Sequence, residues 1–515
     1  MAQAAMPAVS VAQTELKAGA LKLPSIFMQS LTMVAPGIAA CFYTPFVVTQ
    51  AGLAAPLAYP IAFVIVLLTA VVLAELAKAV PSAGGYYTYV ARGVGARWGF
   101  LVSWLNIIYA PLVLGAVTVF GGQVVSNALG WPDWFPLAFM VIVCVGVATI
   151  QYVGVQISGK TLVLLGGIEL VVVFALGLWG LASPGPGGLN MKPFDPGNAT
   201  STSGLFLAAV FAIQAFTGWE GAAPMAEETE NPRRNIPRAL IGSVILFGIF
   251  IVIMQWGIMV GWGTDDFKGL GTASVLPAIT LAQKFWGGFW GILLVMLVSS
   301  TIAVSIACAN VSTRMWYRMG ADGAFPKWFA KVHPTRKTPQ NAIFAQLVLA
   351  LATGFGLTWF AWVASPVAAG AAMTATVAYQ NQYYIDGTLI GFVVLLIYSL
   401  GNLAAFMLYR NERRSEFSVL RHVIFPVLST LGMLVVFLFA IGWVGGDPLT
   451  IGGGSFPVAP NNWAVIFVGI WLVAGVVLLY LLKATHHEDW IAKAAIAASE
   501  RPATDEEIAA AAGEW

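Results

Sequence analysis

The chain has 515 residues, of which 59% are hydrophobic and only 9% are charged, and its formal net charge is +2. A soluble domain carries about 25% charged residues, so this chain lacks the polar side chains to cover itself in water. The composition excludes an ordinary soluble protein and predicts an integral membrane protein, and the small net charge gives no indication of a nucleic-acid partner.

Long apolar stretches recur along the whole chain, separated by glycine, proline and clusters of charge. A membrane-spanning helix needs about 20 largely apolar residues, and about twelve such stretches are present. The predicted spans are 26–48, 56–77, 98–124, 136–158, 161–182, 204–227, 239–262, 287–313, 341–361, 388–409, 423–444 and 463–482. Residues 362–387 are predicted as a loop, and the fold class is all-α and integral to the membrane.

Lysine and arginine residues are distributed unevenly between the two sides of these spans. If the N-terminus is cytoplasmic, only Lys192, Lys268 and Lys284 of the 25 basic residues lie outside. The inside segments hold the other 22: Lys17, Lys22, Lys78, Arg92, Arg97, Lys160, Arg233, Arg234, Arg238, Arg314, Arg318, Lys327, Lys331, Arg336, Lys337, Arg410, Arg413, Arg414, Arg421, Lys483, Lys493 and Arg501. The positive-inside rule therefore predicts cytoplasmic tails over 1–25 and 483–515 and an even number of spans.

Two of the predicted spans are interrupted near their middle. Residues 35–40 of the first span contain Pro36 followed by glycine, and residues 216–221 of the sixth contain Gly218 and the acidic Glu220. Proline removes a backbone donor and glycine permits unusual dihedral angles, so both segments are places where a helix can unwind. The alternative is that Pro36 and Gly218 only kink the helices or allow close packing.

The two interruptions are five helices apart. Because five is odd, the second five-helix unit enters the membrane from the opposite side, which gives an inverted repeat with matching broken helices. This arrangement is typical of secondary transporters. Amides freed at such a break can bind a carboxylate and freed carbonyls can bind an ammonium group, and an amino acid carries both.

Three local motifs resemble those of a known family. They are Glu75 followed by Pro81-Ser82-Ala83-Gly84-Gly85-Tyr86-Tyr87, the stretch 216–238 with Glu227-Glu228-Thr229-Glu230-Asn231-Pro232, and Arg314 leading to Asp322-Gly323-Ala324-Phe325-Pro326. In this order they resemble the amino acid, polyamine and organocation permeases. The resemblance implies a LeuT-type fold, with repeats at 26–182 and 204–409 and peripheral helices at 423–482. It also implies transport by proton or sodium symport, or by exchange.

The resemblance also implies a substrate site. Backbone groups of Ala35, Pro36, Gly37, Ile38 and Ala39 would bind a substrate carboxylate, and carbonyls of Phe216, Thr217 and Gly218 would bind an amine. Asn106 and Cys308 fall near pocket-lining positions, although Asn is also a common interhelical contact and Cys a small buried hydrophobe. Gln214 stands where many relatives have an aromatic lid, so it either contacts substrate or bonds a neighbouring helix.

Two glutamates, Glu169 and Glu220, are predicted to lie within the membrane, where ionisable residues are functional candidates. A carboxylate in apolar surroundings holds a proton more readily, so either residue could load and release a proton during transport. The alternatives are that Glu220 braces the unwound turn and that Glu169 makes a buried hydrogen bond to Ser or Tyr. Glu169 aligns with a lysine that is thought to replace sodium in some relatives, which favours protons without excluding Na⁺.

Charged residues near the cytoplasmic face include Glu75 and Arg233, which are predicted to pair and close the inward side. Solvated helix ends are the more common role for such charges.

The sequence thus predicts a multi-pass protein of the plasma (inner) membrane that moves an amino acid or related amine by proton-coupled symport. The alternatives are an exchanger, or a sensor or partner subunit that has lost transport. No catalytic constellation, metal-ligand spacing or cofactor motif is found, so neither an enzyme nor a metal site is predicted. The predicted partners are the small-molecule substrate and the lipid bilayer.

Overall fold

A computed structural model describes residues 16–272, 276–323, 325–365, 372–445, 450–451 and 461–484. Within these residues, 12 helical segments are long and apolar enough to cross a membrane. They confirm the predicted number of spans, and we refer to them as spans 1 to 12 in chain order.

Spans 1 to 5 form the first half of the molecule. Their helices are α1 (Leu23–Val34), α2 (Pro36–Phe42), α3 (Thr44–Ala51), α4 (Ala58–Ala79), α6 (Ala96–Leu129), α7 (Phe135–Val153) and α8 (Val155–Ala182), and the short α5 (Tyr86–Gly93) precedes α6. Span 1 consists of α1 and α2, which meet at a single residue, Ala35. Span 2 contains α4, and α6, α7 and α8 form spans 3, 4 and 5.

Spans 6 to 12 form the second half. Span 6 is α9 (Thr202–Ala215) followed by a 3-10 helix (Trp219–Glu228). The remaining helices are α10 (Pro232–Trp262), α11 (Phe267–Thr272), α12 (Pro277–Trp286), α13 (Gly291–Asp322), α14 (Gln340–Ala364), α15 (Ala375–Asn411), α16 (Phe425–Ala440) and α17 (Asn461–Ala484). Strands β1 (Val444–Gly445) and β2 (Thr450–Ile451) pair between spans 11 and 12.

Two predicted boundaries are wrong. Span 10 begins at Ala375, inside the predicted loop 362–387. The prediction failed because polar residues such as Gln382 face the protein interior rather than water. The turn between spans 4 and 5 falls at Gly154, where φ is 151°, several residues before the predicted break. Residues 366–371 of the predicted loop lie outside the described residues.

Close helix packing depends on glycine at the contact between α8 and α10. A Cβ atom built on Gly257 would lie 2.2 Å from the carbonyl oxygen of Gly177, and one on Gly180 would lie 2.1 Å from that of Gly257. Small residues allow the backbones of two membrane helices to approach closely. The van der Waals packing that results stabilises the contact, because lipid provides no hydrophobic driving force between helices. The two halves of the molecule therefore pack tightly here.

Span 12 lies at the periphery and is fixed to span 3 by a pair of tryptophans. The indole N–H of Trp104 donates to the carbonyl of Trp471 at 2.7 Å, and the indole of Trp471 donates to the carbonyl of Trp104 at 2.8 Å. Their rings stack at 4.3 Å. Most of span 12 otherwise faces outward, as expected for a helix outside the central bundle.

Candidate functional site

The break in span 1 occurs at Ala35, whose φ of 54° is unusual for a residue with a side chain. The chain turns there and α2 starts immediately with Pro36, which has no N–H to donate. The amide of Ala39 donates to the carbonyl of Ala35 at 2.8 Å. The interruption predicted within 35–40 is thus present, but it is confined to Ala35, and residues 36–40 are helical.

The Gly37 amide at this break is bound by Glu169 of span 5. Its N–H donates to Glu169 Oε1 at 2.5 Å, and the hydroxyl of Ser300 on span 8 donates to the same oxygen at 2.5 Å. Glu169 is fully buried, and its Oε2 has no hydrogen-bond partner among the described residues. One carboxylate therefore fastens the broken helix to spans 5 and 8. The hydrogen bond to a serine, which was the alternative to proton handling for Glu169, is present.

The break in span 6 occurs at Gly218, where φ is 110°. A Cβ atom at this position would lie 2.6 Å from the carbonyl oxygen of Met33, so the two broken spans touch at this point. Glu220 Oε2 accepts the Gly218 amide at 3.1 Å and the hydroxyl of Tyr398 at 2.6 Å. Glu220 therefore braces its own unwound turn. This is the alternative to proton loading that was expected for this residue from the sequence.

A small cavity lies beside the second break. Glu220, Tyr86, Asn106, Tyr109 and Tyr398 all contribute to its lining. Its volume is about 20 Å³, which accommodates one ordered water but no amino acid. A ligand of amino-acid size could enter only if the surrounding spans separated.

Tyr86 supplies a free polar group to this cavity. Its hydroxyl oxygen is buried and has no hydrogen-bond partner among the described residues. Burial, with the Glu220 carboxylate nearby, raises the pKa of Tyr86 well above its usual value. The group therefore remains a neutral hydroxyl, which can accept or donate a hydrogen bond to a ligand.

The other predicted site residues are placed differently. The Gln214 side chain donates to the carbonyl of Gly387 and so bridges spans 6 and 10. Asn106 lines the cavity, and its amide group donates to the carbonyl of Val102 in its own helix at 3.0 Å. Cys308 is buried in α13 and is not among the residues that line the cavity.

A buried polar network closes the face of the bundle at which span 1 begins, which we call the N-terminal face. Arg314 on span 8 donates to Glu228 at 2.7 Å, and both side chains are almost completely inaccessible to solvent. Asn310 receives a hydrogen bond from Arg314 and donates to Gln29 and Ser158. The network joins spans 1, 5, 6 and 8.

The predicted pair of Glu75 and Arg233 has different partners. Glu75 forms an ion pair with Arg421 at 2.6 Å and lies 3.5 Å from the imidazole of His422. Arg233 donates to the carbonyls of Lys78 and Ala79, at the end of α4. Both residues lie at the N-terminal face, but Glu75 is committed to the segment that precedes α16, which the charge pattern alone could not indicate.

Sequence reasoning missed two features of the opposite face. Phe42, Phe120 and Tyr383 pack with ring centroids 4.3 to 6.0 Å apart and join the end of α2 to spans 3 and 10. Asp386, one turn after Gln382, is buried within span 10. The sequence signal for Tyr383 and Asp386 was present, since an acidic residue and a tyrosine pair stand beside an apolar run, but their segment was assigned to a loop.

A family model described as amino acid permease matches residues 21–473. The chain belongs to the amino acid permease family. It is 28% identical over 291 residues to the serine/threonine exchanger SteT of Bacillus subtilis, and this alignment covers 54% of the chain and 63% of the exchanger. The match thus spans less than two thirds of that relative's length.

Other relatives of this permease are named after different substrates. The low-affinity putrescine importer PlaP of Escherichia coli K12 is 27% identical over 59% of the chain and 67% of the importer. The methylthioribose transporter of Bacillus subtilis is 24% identical over 85% of the chain and 87% of the relative. The family membership is therefore common to proteins with chemically distinct substrates.

A solved structure confirms the fold class. MhsT in complex with L-phenylalanine superposes with a TM-score of 0.54 and 16% identity, covering 82% of this permease and 99% of that chain. The predicted LeuT-type architecture is confirmed. The twelve apolar helices and the family model together confirm a multi-pass membrane protein of the permease family. The exact limits of the two repeats, 26–182 and 204–409, stay predictions.

Proposed function

We propose that this permease is a secondary active transporter that moves an amino acid or a related amine by alternating access. The observation that carries the proposal is the meeting of two interrupted spans, at Gly218 and Met33, beside a closed cavity lined by Glu220. Broken helices that face each other across a bundle are how transporters of this architecture expose backbone groups to substrate.

The proposed coupling ion is the proton, carried principally by Glu169. Glu169 Oε1 accepts hydrogen bonds from an amide N–H and from a hydroxyl, so its lone pairs are already used by two donors and are not available to a cation such as Na⁺. A proton on the unpartnered Oε2 would neutralise the Glu169 carboxylate. This is favourable because a charge buried without a partner is costly. Its position between spans 1, 5 and 8 makes its protonation sensitive to the movement of span 1.

We further propose that the N-terminal face lies in the cytoplasm. Of the 25 basic residues, 22 belong to segments that the sequence assigns to that side, in agreement with the positive-inside rule. In this orientation the pair of Arg314 and Glu228 closes the inward route, and the aromatic group of Phe42, Phe120 and Tyr383 closes the outward route. No catalytic role is proposed for any residue.

Substrate exchange is the second candidate function, because the relative SteT is named an exchanger. The two functions are separated by uptake into liposomes that contain the purified protein, with a panel of labelled amino acids and amines. Symport predicts accumulation into empty liposomes when the outside is acidified. Exchange predicts uptake only when the lumen is loaded with substrate, and no uptake of any compound under either condition would contradict the proposed function.

A further inference from the structure

We propose that the cavity recognises its substrate through a protonated amine alone and provides no site for a substrate carboxylate, so that amines without a carboxylate are preferred to α-amino acids. The inference rests on the proposed function and specifies the substrate class of the same cavity.

The first step concerns the amides at the start of α2, which would have to hold a carboxylate. Of the four leading positions, Pro36 has no N–H, the Gly37 N–H donates to Glu169, and the Ala39 N–H donates to the carbonyl of Ala35. Three of the four positions therefore offer nothing to a ligand. The Gly37 N–H, which a substrate carboxylate would accept from, already donates to a carboxylate of the protein.

The second step concerns charge. Within the described part of the chain, no lysine, arginine or histidine lines the cavity. The guanidinium groups next along α13 are already neutralised, since Arg314 pairs with Glu228 at 2.7 Å and Arg318 pairs with Asp322 at 2.9 Å. A substrate carboxylate would thus enter a cavity that is lined by Glu220 and by no cation among the described residues, and burying a charge without a partner is unfavourable.

The third step concerns what the cavity does offer, which is a carboxylate surrounded by aromatic rings. Glu220 is 8% exposed and lines the cavity together with Tyr86, Tyr109 and Tyr398. The rings of Tyr86 and Tyr398 stack at 5.6 Å. An ammonium group has only donors, and it finds here a charged acceptor, the unpartnered Tyr86 oxygen and ring faces that attract cations.

The test compares each amine with the amino acid from which it differs only by the carboxylate. The probes are 2-phenylethylamine and phenylalanine, isobutylamine and valine, and 1,4-diaminobutane and ornithine, at pH 7.5, where the amines are protonated. Binding is measured by calorimetry on the purified full-length protein. Phenylalaninamide, which has the bulk of phenylalanine without its negative charge, separates an effect of charge from one of size.

We expect at least one amine to bind at least 10-fold more tightly than its parent amino acid, and Glu220→Gln to weaken that binding at least 10-fold. Tyr59→Phe, which alters a buried tyrosine outside the cavity lining, serves as the control and should bind as the wild type does.

If, in every pair that binds, the amino acid binds as tightly as its amine, the inference is overturned and the proposed function stays intact. Absence of both binding and uptake for every pair would instead overturn the proposed function, and the inference with it. If Glu220→Gln does not fold, the ranking of the pairs on the wild-type protein decides the question alone.

Discussion

A carboxylate accepts a hydrogen bond from a backbone amide at each of the two breaks, but the two carboxylates come from different parts of the chain. At the break in span 1, Glu169 comes from span 5, is fully buried and occupies the Gly37 amide. At the break in span 6, Glu220 belongs to the broken segment itself and lines the cavity. The first break is fastened to its neighbours and the second is available to a ligand, so two similar interruptions have different tasks.

The largest expected effect comes from filling the contact between the breaks. Gly218→Ala places a methyl group 2.6 Å from a backbone carbonyl at a φ of 110°. Strain and overpacking should together cost roughly 4 kcal/mol, measured as loss of thermal stability in detergent. Gly37→Ala should cost less, because its Cβ meets the flexible side chain of Met296, and Gly167→Ala, with open space around it, should be neutral. Equal losses at Gly218 and Gly37 would contradict this comparison.

Removing the carboxylate that fastens span 1 should have the next largest effect. Glu169→Leu leaves the Gly37 amide and the Ser300 hydroxyl without their acceptor, at a cost of about 3 kcal/mol for the two buried donors. Glu169→Gln keeps an acceptor oxygen and should remain within about 1 kcal/mol of the wild type. Thermal unfolding of both variants measures the difference, and a Leu variant as stable as the Gln variant would show that the fastening role is absent.

At the second break, Tyr398→Phe removes the hydroxyl that donates to Glu220 at 2.6 Å. Hydrogen bonds to charged groups contribute about 2 kcal/mol, so we expect a loss of that size in unfolding free energy. Tyr59→Phe is the matched control, because its buried hydroxyl has no partner among the described residues and its removal should cost nothing. Equal stability of the two variants would argue against a charged Glu220.

The smallest effect is expected at Ala35, whose φ of 54° is strained for an L-residue. Ala35→Gly relieves that strain but increases the entropy of the unfolded chain, which leaves a net stabilisation of about 0.5 kcal/mol. A rise in melting temperature of a few degrees or less is the expected result. A marked destabilisation would mean that packing of the Ala35 methyl group, rather than backbone strain, determines stability at this break.

The sequence predicted most of the fold, because apolar length and basic asymmetry are direct consequences of the bilayer. It also predicted both breaks, since Pro36 and Gly218 act through local backbone chemistry. It placed the start of span 10 wrongly because Gln382 and Asp386 are polar yet face other helices, and hydropathy does not distinguish an inward polar residue from a loop.

The partners of the charged residues were less predictable. Glu75 and Arg233 lie on the same face, but which of several basic groups reaches Glu75 depends on how the segment before α16 folds back, and Arg421 does so. Similarly, the sequence marks Glu169 as intramembrane but contains no signal that its side chain reaches the Gly37 amide of span 1. Contacts between distant spans follow from packing, which no local pattern encodes.

The division of roles between the two carboxylates is tested most directly by following luminal pH and labelled amine uptake together, in liposomes that contain wild-type, Glu169→Gln or Glu220→Gln protein. Protein-free liposomes correct for passive diffusion of neutral amine. The account predicts that the wild type takes up amine with a proton, that Glu169→Gln takes up amine without acidifying the lumen, and that Glu220→Gln takes up neither. Proton movement retained in Glu169→Gln, or normal amine uptake in Glu220→Gln, would contradict it.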